Sequence, residues 1–360
     1  MGSVSKKSGF THALLKWYDG NVRAFPWRAT KDPYRVWLSE IMLQQTQVKT
    51  VIPYFKRWLK DLVNVNGVAC ADLNYILKKW EGLGYYARAR NFHSACKAVM
   101  KQHNGTVPYN YKDFLSLPGV GPYTAGAVMS IAYSLPIPAV DVNAYRLVSR
   151  IKSIKIPFNG CKNEVFGFLS NHISTDRPGD FNQAIMDIGR EVCTLKNPSC
   201  TDCPVQNYCA AFVNSVVDKC PPRIKRPKKS HHRVAAGIIW KKNKILITRR
   251  PERGLLGGLW EFPGGKIING EGAKNCILRE ANETLGIYVR PIGFVGQIRH
   301  AYSHFSITLD AYRFDYVSGT PKTVDCVDWR WVGVEEIFQL PFHKANHKLF
   351  DMLIKEAAIC

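Results

Sequence analysis

Several features are absent from this 360-residue sequence, and each absence narrows the class of protein. No stretch approaches the roughly 18 consecutive apolar residues that a membrane-spanning helix needs, so we expect no membrane association. The N-terminal segment lacks a long apolar core followed by a small-residue cleavage site, so we expect a cytoplasmic protein. Internal repeats and low-complexity tracts are also missing. With 46% hydrophobic and 22% charged residues, the composition indicates ordinary globular domains.

Negative charge is scarce as well. The chain has 28 Asp and Glu against 50 Lys and Arg, which gives a formal net charge of +22. Such a surplus attracts polyanions, chiefly nucleic acid or anionic membranes, although it can also serve only solubility. Because no basic amphipathic helix favours a membrane, the expected partner is nucleic acid.

Composition divides the chain into two domains. Residues 1–217 have apolar positions at helical spacing with short Gly/Pro breaks, which predicts an all-α domain. Residues 218–231 are rich in basic residues and proline, which predicts an extended basic linker. Residues 232–360 combine strand patterns, a hairpin signal at Lys241-Lys242-Asn243 and helical periodicity in 273–285, which predicts an α+β domain. The predicted fold class is therefore multidomain.

The eleven cysteines are unevenly placed. Four of them crowd into the segment Cys193-x6-Cys200-x2-Cys203-x5-Cys209. Thiolates in such a group select zinc or an iron–sulfur cluster. A zinc ribbon normally has two separated C-x2-C pairs, whereas this segment has one, and its spacing resembles the loop that holds a 4Fe-4S cluster in helix-hairpin-helix DNA glycosylases. Zinc remains the alternative metal for these four cysteines.

A glycine-containing turn, Leu117-Pro118-Gly119-Val120-Gly121-Pro122, precedes another helical run. Its two glycines allow positive φ and close backbone approach. The helix that follows presents free N–H groups that can bind a phosphate. A Gly-x-Gly alone is usually a plain loop, but with helices on both sides it is similar to a helix-hairpin-helix. Gly119, Val120 and Gly121 are therefore predicted contacts to the DNA backbone.

Two carboxylates lie in apolar surroundings. Glu40 is flanked by apolar residues, and Asp141 follows an apolar segment at a predicted helix start. Breaking an N-glycosidic bond needs a proton for the departing base and a negative charge near the developing sugar cation, which two such carboxyls can supply. On residue type alone, Asp141 could equally cap a helix and Glu40 could be a buried ion-pair partner.

The resemblance to a known family rests on five segments in the family's order. They are LSEIMLQQTQVKTVIPYF, WEGLGYYARARN, LPGVGPYTAGAV, FNQAIMDIG and the cysteine loop, and together they span nearly all of residues 10–215. They resemble MutY-type adenine DNA glycosylases of the endonuclease III-like superfamily. The resemblance implies a monomer with a 4Fe-4S cluster that removes adenine mispaired with 8-oxoguanine or guanine from double-stranded DNA, at the nucleoid of a bacterium.

The same resemblance implies the roles of individual residues. Glu40 takes the position that protonates adenine, Asp141 the position that stabilises the sugar cation, and Asn143 supports Asp141. Endonuclease III-like lyases have a lysine where this chain has Tyr123, so the enzyme should be monofunctional and leave an abasic site. Val142 stands where the family usually has glycine, which could alter the Asp141 loop because β-branched residues disfavour positive φ.

Further positions match the family's contacts to DNA. Gln45 and Tyr85 match residues that wedge into the duplex while the adenine flips out. Thr46 and Leu83 match contacts to the opposing oxidised guanine, and Arg28 matches a DNA or lesion contact. In the C-terminal domain, the segment Ala301-Tyr302-Ser303-His304-Phe305 is similar to the family's lesion-recognition loop. Ser303 and His304 are the expected contacts there, although both could be ordinary surface residues.

The C-terminal domain resembles a Nudix domain. Its box residues are Gly265, Glu271, Arg279, Glu280 and Glu283. Glu280 and Glu283 would share a helix face suited to a divalent metal. The next acidic position is Thr284, which removes one expected carboxylate, so we expect recognition of 8-oxoguanine rather than hydrolysis.

Three other functions stay open as alternatives. The first is an endonuclease III-like glycosylase and lyase, against which Tyr123 and the Nudix-like domain argue. The second is a nucleotide pyrophosphatase residing in the C-terminal domain. The third is a damage-binding module without catalysis, in which Glu40 would have no chemical role.

Overall fold

The structure is a computed structural model that describes residues 2–222, 229–302 and 304–357. Contacts between Cα atoms divide the chain into two compact units. The first unit comprises Met1–Cys70 and Ser94–Arg226, and the second comprises Ala71–His93 and Pro227–Cys360. Residues 71–93 thus belong to the same compact unit as the C-terminal residues. Within the described ranges, no helix has the length and apolarity needed to cross a membrane.

The described residues form helices in the first part of the chain and both strands and helices from residue 230 onward. The α-helices are α1 (Gly2–Asn21), α2 (Pro33–Leu43), α3 (Val48–Asp61), α4 (Val65–Cys70), α5 (Leu73–Trp80), α6 (Ala87–His103), α7 (Tyr111–Leu115), α8 (Pro122–Tyr133), α9 (Val142–Ile151), α10 (Phe158–His172), α11 (Pro178–Glu191), α12 (Ala210–Val213), α13 (Ala273–Glu283), α14 (Val334–Ile337) and α15 (Lys344–Ala357). The strands are β1 (Ser230–Lys241), β2 (Lys244–Arg249), β3 (Trp260–Glu261), β4 (Gly264–Lys266), β5 (Ile287–Ala301), β6 (Phe305–Gly319) and β7 (Asp328–Val332).

Local capping explains where two of these helices begin. Asp32 caps α2 by accepting from the Arg35 amide at 2.8 Å, with Pro33 in the first turn. Helix α4 ends at Cys70, and Asp72 begins α5 by accepting from the Asn74 amide at 2.7 Å.

The first unit is all-helical around an apolar core. Helix α11 packs against α1, α8 and α9, and α2 packs against α3 and α8. The core side chains come from α1, α9, α10, α11 and the cysteine segment, and include Phe10, Leu14, Leu147, Val165, Phe181, Ile185 and Ile188. Helix α8 thus contacts both α2 and α11, which are distant from each other in sequence.

The second unit contains a mixed sheet with the strand order β3-β2-β1-β6-β5, in which β4 also pairs with β1 and β7 with β2. The predicted hairpin is confirmed: β1 and β2 pair antiparallel around Trp240 and Ile245. β1 and β6 pair in parallel, from Ser230 opposite Phe305 onward.

Successive residues of β1 face opposite sides of the sheet. Ala236 and Ile238 join the core covered by α14 and α15, whereas Ala235 and Ile239 join the core covered by α13. The described residues thus confirm an α-helical domain followed by an α+β domain. Residues 223–228, within the predicted linker, lie outside the described residues.

Candidate active site

A cavity of about 590 Å³ lies in the first unit. Its lining comes from α2, α8, α11, the start of α9 and the segments beside them. Among the residues singled out from the sequence, it contains Arg28, Glu40, Thr46, Tyr123, Asp141 and Asn143. The fold therefore gathers residues from five separate stretches of the chain into one site.

Glu40 lies on α2 with only 5% of its surface exposed. The Tyr123 hydroxyl donates to Glu40 Oε2 at 2.6 Å. Burial, together with the nearby Asp141, raises the pKa of Glu40 to about 7, although the Tyr123 hydrogen bond and the Arg28 charge act in the opposite direction. The partner of Glu40 is therefore a hydroxyl rather than a cation, and its carboxyl can hold a proton near neutral pH.

Asp141 caps α9 and also lines the cavity. Its Oδ1 accepts from the amides of Asn143 at 2.9 Å and Ala144 at 2.7 Å, and its Oδ2 accepts from the Asn143 side chain at 2.7 Å. Burial raises the pKa of Asp141, while these hydrogen bonds oppose the rise because they favour the charged form. Asp141 therefore caps α9 and lines the cavity at the same time, so its two interpretations do not exclude each other.

Val142 follows Asp141 without backbone strain. It is the first residue of α9, 75% exposed, and it is not among the described non-glycine residues with positive φ. A valine fits this position because the first helical turn needs an ordinary negative φ.

The backbone that leads to Asp141 is held from two sides. A Cβ on Gly126 of α8 would lie 2.3 Å from the Pro138 carbonyl oxygen, so only glycine permits this close approach. The buried Asn182 of α11 accepts from the Ala139 amide at 3.1 Å and donates to the Ile137 carbonyl at 2.9 Å. These contacts fix the entry to α9 and with it the Asp141 carboxylate.

An ion-pair cluster that the residue patterns did not reveal borders the cavity. Arg28 forms two hydrogen bonds to Asp187, at 2.8 and 2.9 Å, and Arg190 reaches the same carboxylate at 2.9 Å. Both guanidinium groups lie over the Phe25 ring, at 5.0 and 5.4 Å. The available signal was the opposite charges of Asp187 and Arg190, three residues apart on one helix.

The predicted hairpin turn joins α7 to α8. Gly119 has φ +75°, the Val120 amide donates to the Leu117 carbonyl at 3.1 Å, and Gly121 is the N-terminal cap of α8. Tyr123 lies in the first turn of α8, so the turn with the predicted phosphate contacts also delivers the hydroxyl that bonds Glu40.

Gln45 follows the end of α2 and is exposed, with φ +57°. Positive φ is uncommon for a residue other than glycine and clusters at functional sites. The neighbouring Thr46 lines the cavity, and its amide donates to the Leu43 carbonyl at 3.2 Å.

Three more predicted residues lie in the second unit. Leu83 is 6% exposed, and Tyr85 has φ +48°. The ring centroids of Tyr85 and His304 are 6.4 Å apart with an edge-on orientation. Ser303 lies outside the described residues.

All four clustered cysteines line one small cavity in the first unit. Arg150 donates to Cys193 Sγ at 3.2 Å and to the Thr194 carbonyl at 2.7 Å. A cavity shared by four sulfurs and bordered by a guanidinium suits an anionic thiolate-ligated group. Across the described residues, no three His, Cys, Asp or Glu side chains are grouped so as to hold a metal ion.

The Nudix-like box is arranged around Arg279. Its guanidinium pairs with Glu271 at 2.9 Å, Glu280 at 2.7 Å and Glu283 at 3.6 Å. The Thr284 hydroxyl donates to the Glu280 carbonyl oxygen at 2.6 Å, so it forms a hydrogen bond at the C-terminal end of α13.

Comparisons with known proteins identify two family models that match different parts of the chain. Residues 38–157 match the HhH-GPD superfamily base excision DNA repair protein, and residues 235–352 match the NUDIX domain. The adenine DNA glycosylase of Rattus norvegicus is 30% identical over 409 residues, covering 96% of this chain and 78% of that protein. That of Buchnera aphidicola subsp. Baizongia pistaciae is 33% identical and covers 84% of each. A solved thermostable thymine-DNA glycosylase has a TM-score of 0.56 and 26% identity over 59% of this chain and all (100%) of its own.

Proposed function

The chain belongs to the adenine DNA glycosylases, enzymes of base excision repair, and we propose that the adenine it removes lies opposite 8-oxoguanine or guanine in double-stranded DNA. The observation that carries the proposed chemistry is the pair of carboxyl groups in one cavity, with the pKa of Glu40 near 7 and Asp141 held by three donors.

Glu40 acts as the general acid. Its carboxyl keeps a proton near neutral pH because burial disfavours the charged form. Protonation of the departing adenine turns it into a better leaving group, so the N-glycosidic bond breaks while the sugar gains positive charge. The Tyr123 hydroxyl orients the Glu40 carboxyl through the 2.6 Å hydrogen bond.

Asp141 stabilises the sugar cation and helps to direct water onto it. Its three hydrogen bonds fix the carboxylate in one orientation, and Asn143 supplies two of them. Water then takes the place of the base, and an abasic site remains. Tyr123 has no amine that could form a Schiff base with the opened sugar, which supports a monofunctional enzyme.

Contacts to the duplex are divided among several segments. The turn at Gly119, Val120 and Gly121 places the N–H groups at the start of α8 where they bind a phosphate. Gln45 and Tyr85 insert into the base stack. Both residues have positive φ, an uncommon backbone conformation that is concentrated at functional sites, and this supports their role. Arg28 lines the cavity that also contains Glu40 and contacts the DNA or the lesion. The net charge of +22 supports binding to DNA. The proposed DNA-binding species is a monomer in the compartment that holds the genome.

The second unit recognises the opposing 8-oxoguanine. Leu83, Ser303 and His304 supply the contacts of this unit to the lesion. The proximity of the Tyr85 and His304 rings supports this role, because it brings two segments that match lesion contacts together. Recognition is favoured over pyrophosphate hydrolysis since Thr284 has no carboxylate for a metal.

The cofactor is a 4Fe-4S cluster held by Cys193, Cys200, Cys203 and Cys209. The single C-x2-C pair and the shared cavity support this choice. When bound, the cluster supplies structural rigidity to a basic loop. Lys196 in that loop can then contact a phosphate.

Single-turnover release of adenine tests the proposed substrate. Duplexes would contain adenine opposite 8-oxoguanine, guanine or cytosine. The fastest release should occur opposite 8-oxoguanine and the slowest opposite cytosine, and the His304→Ala variant should narrow that difference. Equal rates on the three duplexes would contradict the proposed specificity.

A further inference from the structure

Glu81 joins two distant parts of the second unit. It accepts hydrogen bonds from the Phe342 amide at 3.0 Å, His347 Nε2 at 2.6 Å and Lys78 Nζ at 2.7 Å. Lys78 also donates to the Leu340 carbonyl at 3.2 Å. We call Glu81, Lys78, His347 and the Phe342 amide the Glu81 clamp.

The clamp is built around a shielded negative charge. The Glu81 side chain is only 17% exposed. Burial alone would raise its pKa, but the hydrogen bonds from His347 and Lys78 prevail and lower it. Charge-assisted hydrogen bonds of this kind are shorter and stronger than neutral ones. The carboxylate therefore holds the segment around residue 81 in one position relative to residues 340–347.

Two more contacts fasten the same early segment. The Trp260 indole N–H donates to Asn74 Oδ1 at 3.4 Å, and Arg90 donates to the Gly257 carbonyl oxygen. Residues 74–90 are thus attached at their start, middle and end. Of these three attachments, the Glu81 clamp is the nearest in sequence to Leu83 and Tyr85.

The loop that follows Glu81 needs such support. Tyr85 adopts φ +48°, a conformation that a residue other than glycine keeps only when its surroundings enforce it. Arg88 donates to the carbonyls of Leu83 at 3.3 Å and Gly84 at 3.1 Å, and its guanidinium lies 5.5 Å from the Tyr85 ring centroid. These contacts set the shape of the loop, while the clamp sets its place against the C-terminal residues.

We infer that Glu81 is a positioning residue for recognition of the opposing base. By pairing with His347, Lys78 and the Phe342 amide, it holds the Leu83–Tyr85 loop in register with the His304 loop. Residues 83–85 and His304, which are more than 200 positions apart in the sequence, then contact the lesion together. This inference rests on the proposed function, since it assigns Glu81 an effect through residues that we propose contact the lesion.

The Glu81→Gln substitution tests the inference in the full-length protein. It keeps the size of the side chain but removes the charge that orders the three donors. Adenine release opposite 8-oxoguanine should fall about tenfold, the size of a coupling between contacting residues. Release of adenine opposite guanine should change less, so the preference for 8-oxoguanine over guanine as the opposing base becomes smaller. The fluorescence of 2-aminopurine placed next to the lesion, which reports unstacking by the Tyr85 wedge, should fall in parallel.

Asp310→Asn is the matched control. Asp310 is a buried carboxylate of the same unit, and its partners Arg233 and Gln297 lie outside residues 71–93. The Asp310→Asn substitution should lower the thermal stability of the protein without reducing its preference for 8-oxoguanine over guanine. His347→Gln, which leaves Glu81 charged, serves as a second and milder variant with a smaller loss in the same direction.

A double-mutant cycle separates positioning from general destabilisation. In a Tyr85→Ala background, Glu81→Gln should cause little further loss, because its effect passes through the loop that carries Tyr85. Full additivity of the two losses, or an unchanged preference in Glu81→Gln, would overturn the inference. If the unmodified enzyme shows no preference for 8-oxoguanine, the proposed function fails instead, so the two failures are distinguishable.

Discussion

The Glu40→Gln variant should lose activity and gain stability, and the gain should grow with pH. Burial raises the pKa of Glu40 from 4.5 to about 7. One pKa unit corresponds to about 1.4 kcal/mol, so at about pH 8 the ionised carboxylate costs the native state about 3 kcal/mol relative to the unfolded chain. At about pH 5.5, where the folded group is protonated, the cost falls to about 1 kcal/mol. Glutamine has no such cost at either pH.

Thermal unfolding of both proteins across this pH range measures the effect. A gain of about 3 kcal/mol corresponds to a rise of about 6–12 °C in melting temperature for a unit of this size. The same samples should release no adenine, because glutamine cannot donate the proton. Glu164→Gln, at an exposed position on α10, is the control and should change neither property. A variant less stable than the parent at about pH 8, or a gain independent of pH, would refute the reasoning about Glu40.

Three further predictions concern other groups. In Tyr123→Phe, loss of the hydrogen bond that lowers the Glu40 pKa should move the alkaline fall of the adenine-release rate to higher pH, and an unmoved profile would contradict this. Cys203→Ala should remove most of the iron from the purified protein, whereas the scattered Cys70→Ala should retain it; equal iron in both would count against the cluster assignment. The protein should not turn over 8-oxo-dGTP with Mg²⁺, because Thr284 replaces a metal-binding carboxylate, and phosphate or pyrophosphate release would show otherwise.

Local chemistry made much of the fold predictable. The Asp32-Pro33 start of α2, the helix from residue 122 and the hairpin around Lys242 each follow from a cap, a proline or a turn signal within a few residues. The short strands β3 and β4 escaped prediction, because two or three residues carry too little alternation to be recognised.

Site residues were predictable where their residue type and the family resemblance indicate the same role. They were not predictable where only three-dimensional packing brings the side chains together. Glu40 and Asp141 are 101 positions apart, and only the packing of α2 against α8 and of α11 against α8 and α9 brings them to one cavity. The Arg28–Asp187 ion pair spans 159 positions and has no local signal.

The grouping of residues 71–93 with the C-terminal residues is also a property of the fold. Glu81 looks like an ordinary charged residue after a helix, since its partners besides Lys78 come from residues 340–347. Single-sequence patterns report spacing along one element, so they do not reveal a hydrogen bond between positions 81 and 347. The roles of individual site residues stay predictions.

The most direct test of the account is product analysis with borohydride present. The enzyme would be incubated with a duplex containing adenine opposite 8-oxoguanine, and in parallel with a thymine-glycol duplex. The account predicts release of free adenine, a strand that breaks only after alkali, and no covalent adduct on either duplex. An adduct trapped on the thymine-glycol duplex, or strand breakage without alkali, would contradict the claim that Glu40 and Asp141 catalyse hydrolysis in a site that lacks a lyase amine.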